Sequence, residues 1–211
     1  MGRSINVSTN TQINTQIDMY EVPKAITIDG ETFKIRKDGD YRMVIDCFMA
    51  LDDPELEKKD RISAAMIIFY EGIDSVSDFV KFPDVEKAFK EMGAFFNCGQ
   101  TGSSNSINYK LIDWERDSQL ICSAVNNVAK VEIRDIPYLH WWTFMGYYMS
   151  AGDSVLGTVI SIRNKIVKGQ KRDKGEQEFM RNNPQYFAWS AKNAEQQALD
   201  EEARKLWNSG K

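Results

Sequence analysis

The chain has 211 residues, carries a formal net charge of −4, and is 42% hydrophobic and 27% charged. These values are typical of a globular protein and exclude a disordered or fibrous chain. The mildly acidic balance argues against binding to nucleic acid or to an anionic membrane, because such proteins usually carry a basic excess. No apolar run reaches the roughly 20 residues that a membrane-spanning helix needs.

Residues 1–20 are polar and rich in Ser, Thr, Asn and Gln, without the apolar stretch of a secretory signal. Such a composition buries too little apolar surface to offset the entropy lost on ordering. The segment is therefore predicted to be a flexible polar arm. It either stays disordered or becomes ordered on a partner.

Residues 25–36 predict a β-hairpin. Ile26 and Ile28 alternate with polar residues before Asp29-Gly30, and a second apolar–polar alternation follows. An Asp-Gly pair between two such runs is a strong hairpin signal. Because two strands alone are marginally stable in water, the hairpin must pack on helices or pair with another strand.

Helical periodicity follows the hairpin. Asp40 can cap a first helix, and a second helix is predicted to end near Gly72. The clearest apolar stripe lies around Pro83, a favoured first-turn residue. This stripe places five side chains on one helical face: Phe82, Val85, Phe89, Met92 and Phe96. The face either packs in the core or forms a groove for a helix of another protein.

Gly99–Asn108 is predicted to be a flexible loop, acting as a hinge or a tolerated insertion. Another helix is predicted around Ile121 and Val125. Pro137 then opens a segment whose aromatic side chains would fall on all sides of a helix: Tyr138, Trp141, Trp142, Phe144, Tyr147 and Tyr148. Such a helix should be central to the core, or be shared between the core and a partner.

The C-terminal third predicts one more core helix, capped by Asp153, followed by charged segments. Its predicted inward side chains are Val155, Leu156, Val159, Ile160 and Ile166. The basic run Lys165–Lys174 is interpreted as a solvated face, with contact to nucleic acid as the alternative. Residues 188–211 are rich in Ala, Glu, Gln and Lys, which predicts a charged surface helix or tail.

The expected fold is mainly α: an N-terminal β-hairpin followed by a compact bundle of about six to seven helices. We expect one hairpin-plus-helix domain over residues 21–187, with the arm 1–20 before it and the tail 188–211 after it.

The sequence shows no catalytic, metal or cofactor motif, so we expect a protein that is not an enzyme. His140 is the single histidine, which excludes multi-histidine metal sites, and a hydrogen-bonded core histidine is the expected interpretation. Cys47, Cys98 and Cys122 form no CxxC pair and are interpreted as packed thiols in a reducing compartment, the cytoplasm. No glycine-rich phosphate loop is present.

Four stretches resemble a family of phage proteins named after gene product fifteen. The first, DGETFKIRKDGDYRMVIDCFMAL, places Arg42 at the family's arginine, although Asp38-Gly39 lengthen the preceding turn. The second and third are AFFNCG and IDWERDSQLICSAV, the latter containing Asp117. The most specific is LHWWTFMGYY, followed by a helix that ends in Ser-Ile-Arg at Arg163. The resemblance covers about residues 26–184.

Members of this family resemble tail-assembly chaperones of long-tailed phages of Gram-positive bacteria. The resemblance implies ATP-independent binding to the tape measure protein, and to tail-tube subunits as a second partner, in the host cytoplasm before the tube polymerises. It also implies absence from the finished particle. Six side chains are candidates for this contact, although each could instead belong to the core: Phe82, Phe89, Met92, Phe96, Trp141 and Tyr148.

Two other functions stay open at this point. A structural tail or connector component, retained in the virion, would use the hairpin to extend a neighbour's sheet. A small regulatory nucleic-acid binder would use the Lys165–Lys174 run and show steep salt dependence. Self-association through the hairpin edge or the C-terminal helix is compatible with each of them.

Overall fold

The structure is a computed structural model that describes residues 21–100 and 111–188. The predicted arm, most of the predicted loop Gly99–Asn108 and the predicted C-terminal helix lie outside these residues. The described part is mainly α with a small N-terminal hairpin, which confirms the expected fold class. Its elements are β1 (Ala25–Ile28), β2 (Glu31–Lys34), α1 (Tyr41–Asp52), α2 (Lys58–Phe69), α3 (Val85–Phe96), α4 (Ser118–Ala129), α5 (Trp141–Ser150), α6 (Val155–Val167) and α7 (Lys174–Asn182).

The hairpin has the predicted two-residue turn. β1 and β2 are antiparallel, with Ile28 paired to Glu31 across Asp29-Gly30. Both turn residues have positive φ angles, +49° and +91°, as tight hairpin turns require. Ile28 is fully buried and β1 packs against α3, so the hairpin is stabilised by a helix as expected.

The first two helices pack against each other, and α1 also contacts α5. Asp40 caps α1, as predicted, by accepting a hydrogen bond from the Arg42 backbone amide. α2 ends at Phe69, shortly before Gly72. Its C-terminal end is held by the Arg36 guanidinium, whose Nη2 donates to the carbonyls of Ile67, Tyr70 and Ile73.

The helix of the apolar stripe, α3, begins at Val85, two residues after Pro83, the predicted first-turn residue. Asp84, rather than Pro83, stands at its start, because the Asp84 carboxylate accepts from the Lys87 backbone amide. Val85 is consequently 39% exposed instead of facing inward. The face that packs in the core is formed by Ala88, Met92, Phe95 and Phe96.

The aromatic helix α5 begins at Trp141 and not at Pro137. The residues just before α5 pair with the start of α1 instead of joining the helix. The Tyr41 amide donates to the Leu139 carbonyl, and Asp40 and His140 form an isolated β-bridge. The predicted Asp153 cap of α6 is wrong, since the Ser154 hydroxyl accepts from the Gly157 amide. The inward residues of α6 are Leu156, Val159, Ile162 and Arg163, while Val155 is half exposed.

The main core lies between the hairpin and helices α1 to α6, and a smaller cluster forms under α7. That cluster contains Val159, Ile162 and Phe187, with Phe179 and Met180 of α7 packed against it. Phe187 follows a short 3-10 turn, Pro184–Tyr186. Within the described ranges, no helix is long and apolar enough to cross a membrane.

Candidate partner-binding cleft

Four of the six candidate contact residues lie in the core, so the expectation of an exposed groove along α3 needs correction. Trp141 is 0% exposed and Met92 is 1% exposed. Phe82 and Phe96 are also buried. A buried side chain offers no surface to a partner in this conformation. For these four, the core alternative describes the structure.

Trp141, the first residue of α5, is buried because its side chain packs against the C-terminal end of α3. Its indole Nε1 donates a 2.9 Å hydrogen bond to the carbonyl of Phe96, the last residue of α3. Trp142 makes the equivalent 2.9 Å bond to the carbonyl of Phe95. The last carbonyls of a helix have no partner within the helix, and the two indoles supply donors to them; the Phe95 carbonyl also accepts from the Cys98 amide.

Phe82 is buried by the hairpin. Its ring lies 4.8 Å from that of Phe33 on β2 and 4.9 Å from that of Tyr70, measured between centroids. The Tyr70 hydroxyl donates to the Ala88 carbonyl of α3. Phe82, the first residue of the predicted stripe, therefore packs where the hairpin, the end of α2 and α3 meet.

Phe89 and Tyr148 are only partly buried, and Tyr148 lines an open cleft with a volume of about 280 Å³. The cleft lies between the end of α5, the start of α6 and the segment that precedes α4. Its lining residues are Leu111, Ile112, Tyr148, Met149, Ala151, Gly152, Ser154, Leu156, Gly157 and Ile160. Most of these side chains are apolar, and Met149 is 56% exposed at the surface.

Electrostatics keep the cleft neutral around Tyr148. Burial raises the pKa of the Tyr148 hydroxyl, with nearby Asp117 raising it further and Arg163 opposing that effect. Tyr148 therefore stays protonated at neutral pH and can donate a hydrogen bond. A neutral, mainly apolar cleft suits an apolar side chain better than a charged ligand.

A buried ion pair lies close to this cleft. The Arg163 guanidinium and the Asp117 carboxylate are 1% and 0% exposed, and they meet in a two-point contact from Nη1 and Nη2. Arg163 also donates to the carbonyls of Leu111 and Tyr186. The pair thus connects α4, α6, the cleft wall and the C-terminal turn.

His140 and the three cysteines are not among the residues that line the cleft. His140 is 3% exposed; its Nδ1 accepts from the Trp142 amide, and its Nε2 lies 3.0 Å from the Pro23 carbonyl. The thiols are free, and burial raises the pKa of Cys98 to about 11. In the part of the chain that the structure describes, no three His, Cys, Asp or Glu side chains could together hold a metal ion.

The comparison with protein families decides the assignment. The family model of Bacteriophage Gp15 protein matches residues 19–188, which is most of the chain. The chain belongs to this family. Membership of the Gp15 family indicates a phage protein concerned with structure or assembly. Searches of curated proteins and of solved structures found no match.

The motifs that carried the family resemblance now have structural roles in this Gp15 family member. Arg42 donates to both Asp40 oxygens and to the carbonyls of Ile133 and Ile136, which fixes the loop before α5 to the start of α1. Asp117 and Arg163 come from two separate motifs and bind each other. These motif residues therefore form polar contacts that join separate segments of the fold.

Sequence reasoning missed the cleft as a site, although it selected Tyr148. Met149 carried no clear signal, because Met145, which shares its helical face at i−4, is fully buried. Leu111 and Ile112 carried none, because their place in the cleft depends on the fold: the Leu111 carbonyl, for example, accepts from Arg163, 52 residues away in the sequence.

Proposed function

We propose that this protein is a tail-assembly chaperone that binds the tape measure protein in the host cytoplasm before the tail tube polymerises. The open apolar cleft between α5 and α6 is the proposed contact. Family membership supports a role in phage assembly or structure. The observation that carries the finer proposal is the cleft itself, with Met149 exposed beside Tyr148.

The chemistry of the cleft suits an apolar helix. A cleft of about 280 Å³ that is open on one side can receive a few large side chains from one face of an amphipathic helix. Methionine adapts its shape to different apolar side chains, which favours a surface that binds a long and varied client. The proposal requires no nucleotide, since binding alone keeps the client soluble.

The test is a pull-down from cells that co-express the chain with the tape measure protein of the same phage. Met149→Asp places a charge at the mouth of the cleft and is expected to reduce the captured tape measure protein at least tenfold. Val80→Asp is the matched control, because Val80 is 88% exposed and lies outside the cleft on the 3-10 helix Val76–Lys81. Equal capture by both variants would contradict the proposed contact.

A second candidate function is a tail or connector component that stays in the virion. It is favoured by the hairpin, because β1 pairs only with β2 among the described residues, so its other edge has no strand partner within them. Purified particles distinguish the two functions. A chaperone is present in the lysate and missing from the particle, whereas a virion component is found in both.

A further inference from the structure

One wall of the cleft lies outside the α-helices and strands of the fold. Leu111 and Ile112 precede α4 and lie outside the α-helices and strands, yet they are only 5% and 4% exposed. The backbone polar groups of such a segment need hydrogen-bond partners, and polar contacts with neighbouring elements help to fix its position.

Arg163 on α6 makes the contact at one end of this wall. Its Nη1 donates to the Leu111 carbonyl at 2.9 Å and also binds Asp117. Its Nε and Nη2 donate to the Tyr186 carbonyl at 3.0 and 2.7 Å. The planar guanidinium thus fixes two chain segments and one carboxylate in a single geometry.

Asp117 makes the contact at the other end. Its Oδ2 accepts a 2.9 Å hydrogen bond from the Asp113 amide, and its own amide donates to the Asp113 carbonyl at 2.8 Å. The segment from Leu111 to Asp113 is therefore held at both ends by the members of one buried ion pair.

We propose that Asp117 and Arg163 are positioning residues that set the shape of the cleft for its client by fixing the Leu111–Ile112 wall. This inference rests on the proposed function of the cleft. Its energetic basis is that a buried ion pair is a poor means of stabilising a core, because desolvation offsets most of the attraction. Two apolar residues of similar volume would maintain the fold, but they could not hydrogen-bond to the Leu111 and Tyr186 carbonyls or to the Asp113 amide.

The experiment replaces the pair by Asp117→Leu with Arg163→Met in the full chain. The folded variant is expected to melt below the wild type, because the Leu111 and Tyr186 carbonyls and the Asp113 amide lose these partners although the buried charges are removed together. Methyl order parameters of Leu111 and Ile112 should fall, while those of Ile28 and Val125, which are fully buried elsewhere in the core, should not change. Affinity for the tape measure protein should fall at least tenfold.

Arg163→Lys is the second variant and serves if the double variant fails to fold. It keeps the positive charge beside Asp117, but a single ammonium group cannot also hold the Leu111 and Tyr186 carbonyls in the same geometry. The same local loss of order at Leu111 and Ile112 is expected.

The outcomes separate this inference from the proposed function. If the wild-type chain binds no tape measure protein, the proposed function fails, and the methyl measurements still decide whether the pair positions the wall. Unchanged order at Leu111 and Ile112 in the folded variant would overturn the inference. Loss of order that extends equally to Ile28 and Val125 would also overturn it, because the pair would then be a general support of the core.

Discussion

Trp141 and Phe96 are joined by a 2.9 Å hydrogen bond from the indole Nε1 to the last backbone carbonyl of α3. The adjacent Trp142 binds the carbonyl of Phe95 in the same way. The start of α5 is thereby joined to the end of α3, although the two residues lie 45 positions apart in the sequence. The two indoles of the Leu-His-Trp-Trp run thus have a role in joining α3 to α5.

Trp141→Phe is expected to destabilise the protein by roughly 1–3 kcal/mol, because the buried indole hydrogen bond to the Phe96 carbonyl and part of the buried ring are lost. Urea denaturation measures the loss. Trp142→Phe is the control: the Phe95 carbonyl keeps its hydrogen bond from the Cys98 amide, so the loss should be smaller. Equal effects of the two variants would show that the lost indole donor does not set the cost.

Gly39→Ala is expected to destabilise the protein by roughly 2–5 kcal/mol. Gly39 has a φ of +78°, which is strained for an L-residue, and an added Cβ would lie 2.9 Å from both His140 Nε2 and Phe95 Cζ. Gly30→Ala separates the two causes, because Gly30 has a φ of +91° with no atom within 4 Å of an added Cβ. Thermal denaturation should show the smaller loss for Gly30→Ala, and a comparable loss would refute the steric part of the explanation.

His140 makes stability depend on pH. Burial lowers the pKa of His140 below its ordinary value of 6.5, against the opposing effect of its contact with Pro23 and of Asp38 and Asp40. Because the unfolded chain then binds the proton more readily, this contribution is present above pH 6.5 and is lost as the pH falls through the folded pKa. Protonation would also remove the acceptor for the Trp142 amide.

The measurement is the free energy of unfolding at about pH 7.5 and about pH 5.5. His140→Asn is the matched variant, since its side-chain oxygen can still accept from the Trp142 amide. The wild type should lose more stability on acidification than His140→Asn does. Parallel pH dependence of the two proteins would exclude His140 as the titrating group.

The hairpin and the helix types could be predicted because their signals are local. Asp29-Gly30 encodes its own turn, and periods of three and four residues identify helices whose apolar face is buried. The residues at which helices start could be predicted less well. α5 begins at Trp141 because Leu139 pairs with Tyr41, a contact 98 residues away that no local pattern contains.

For the same reason, the candidate site could be predicted only in part from the sequence. An apolar stripe shows that a face is buried, but it does not say whether its own core or a partner buries it. Met92 and Phe96 turned out to face the protein's own core, whereas Tyr148 lines a surface cleft. Asp117 and Arg163 were recognised as separate motif residues, and only the fold shows that they bind each other.

The most direct test of the proposed function measures the soluble fraction of the tape measure protein expressed alone, with the wild-type chain, and with Met149→Asp. A chaperone is expected to move most of the tape measure protein into the soluble fraction, and Met149→Asp, but not Val80→Asp, is expected to lose that effect. A tape measure protein that stays insoluble beside well-folded wild-type chain would contradict the chaperone proposal and favour a component retained in the virion.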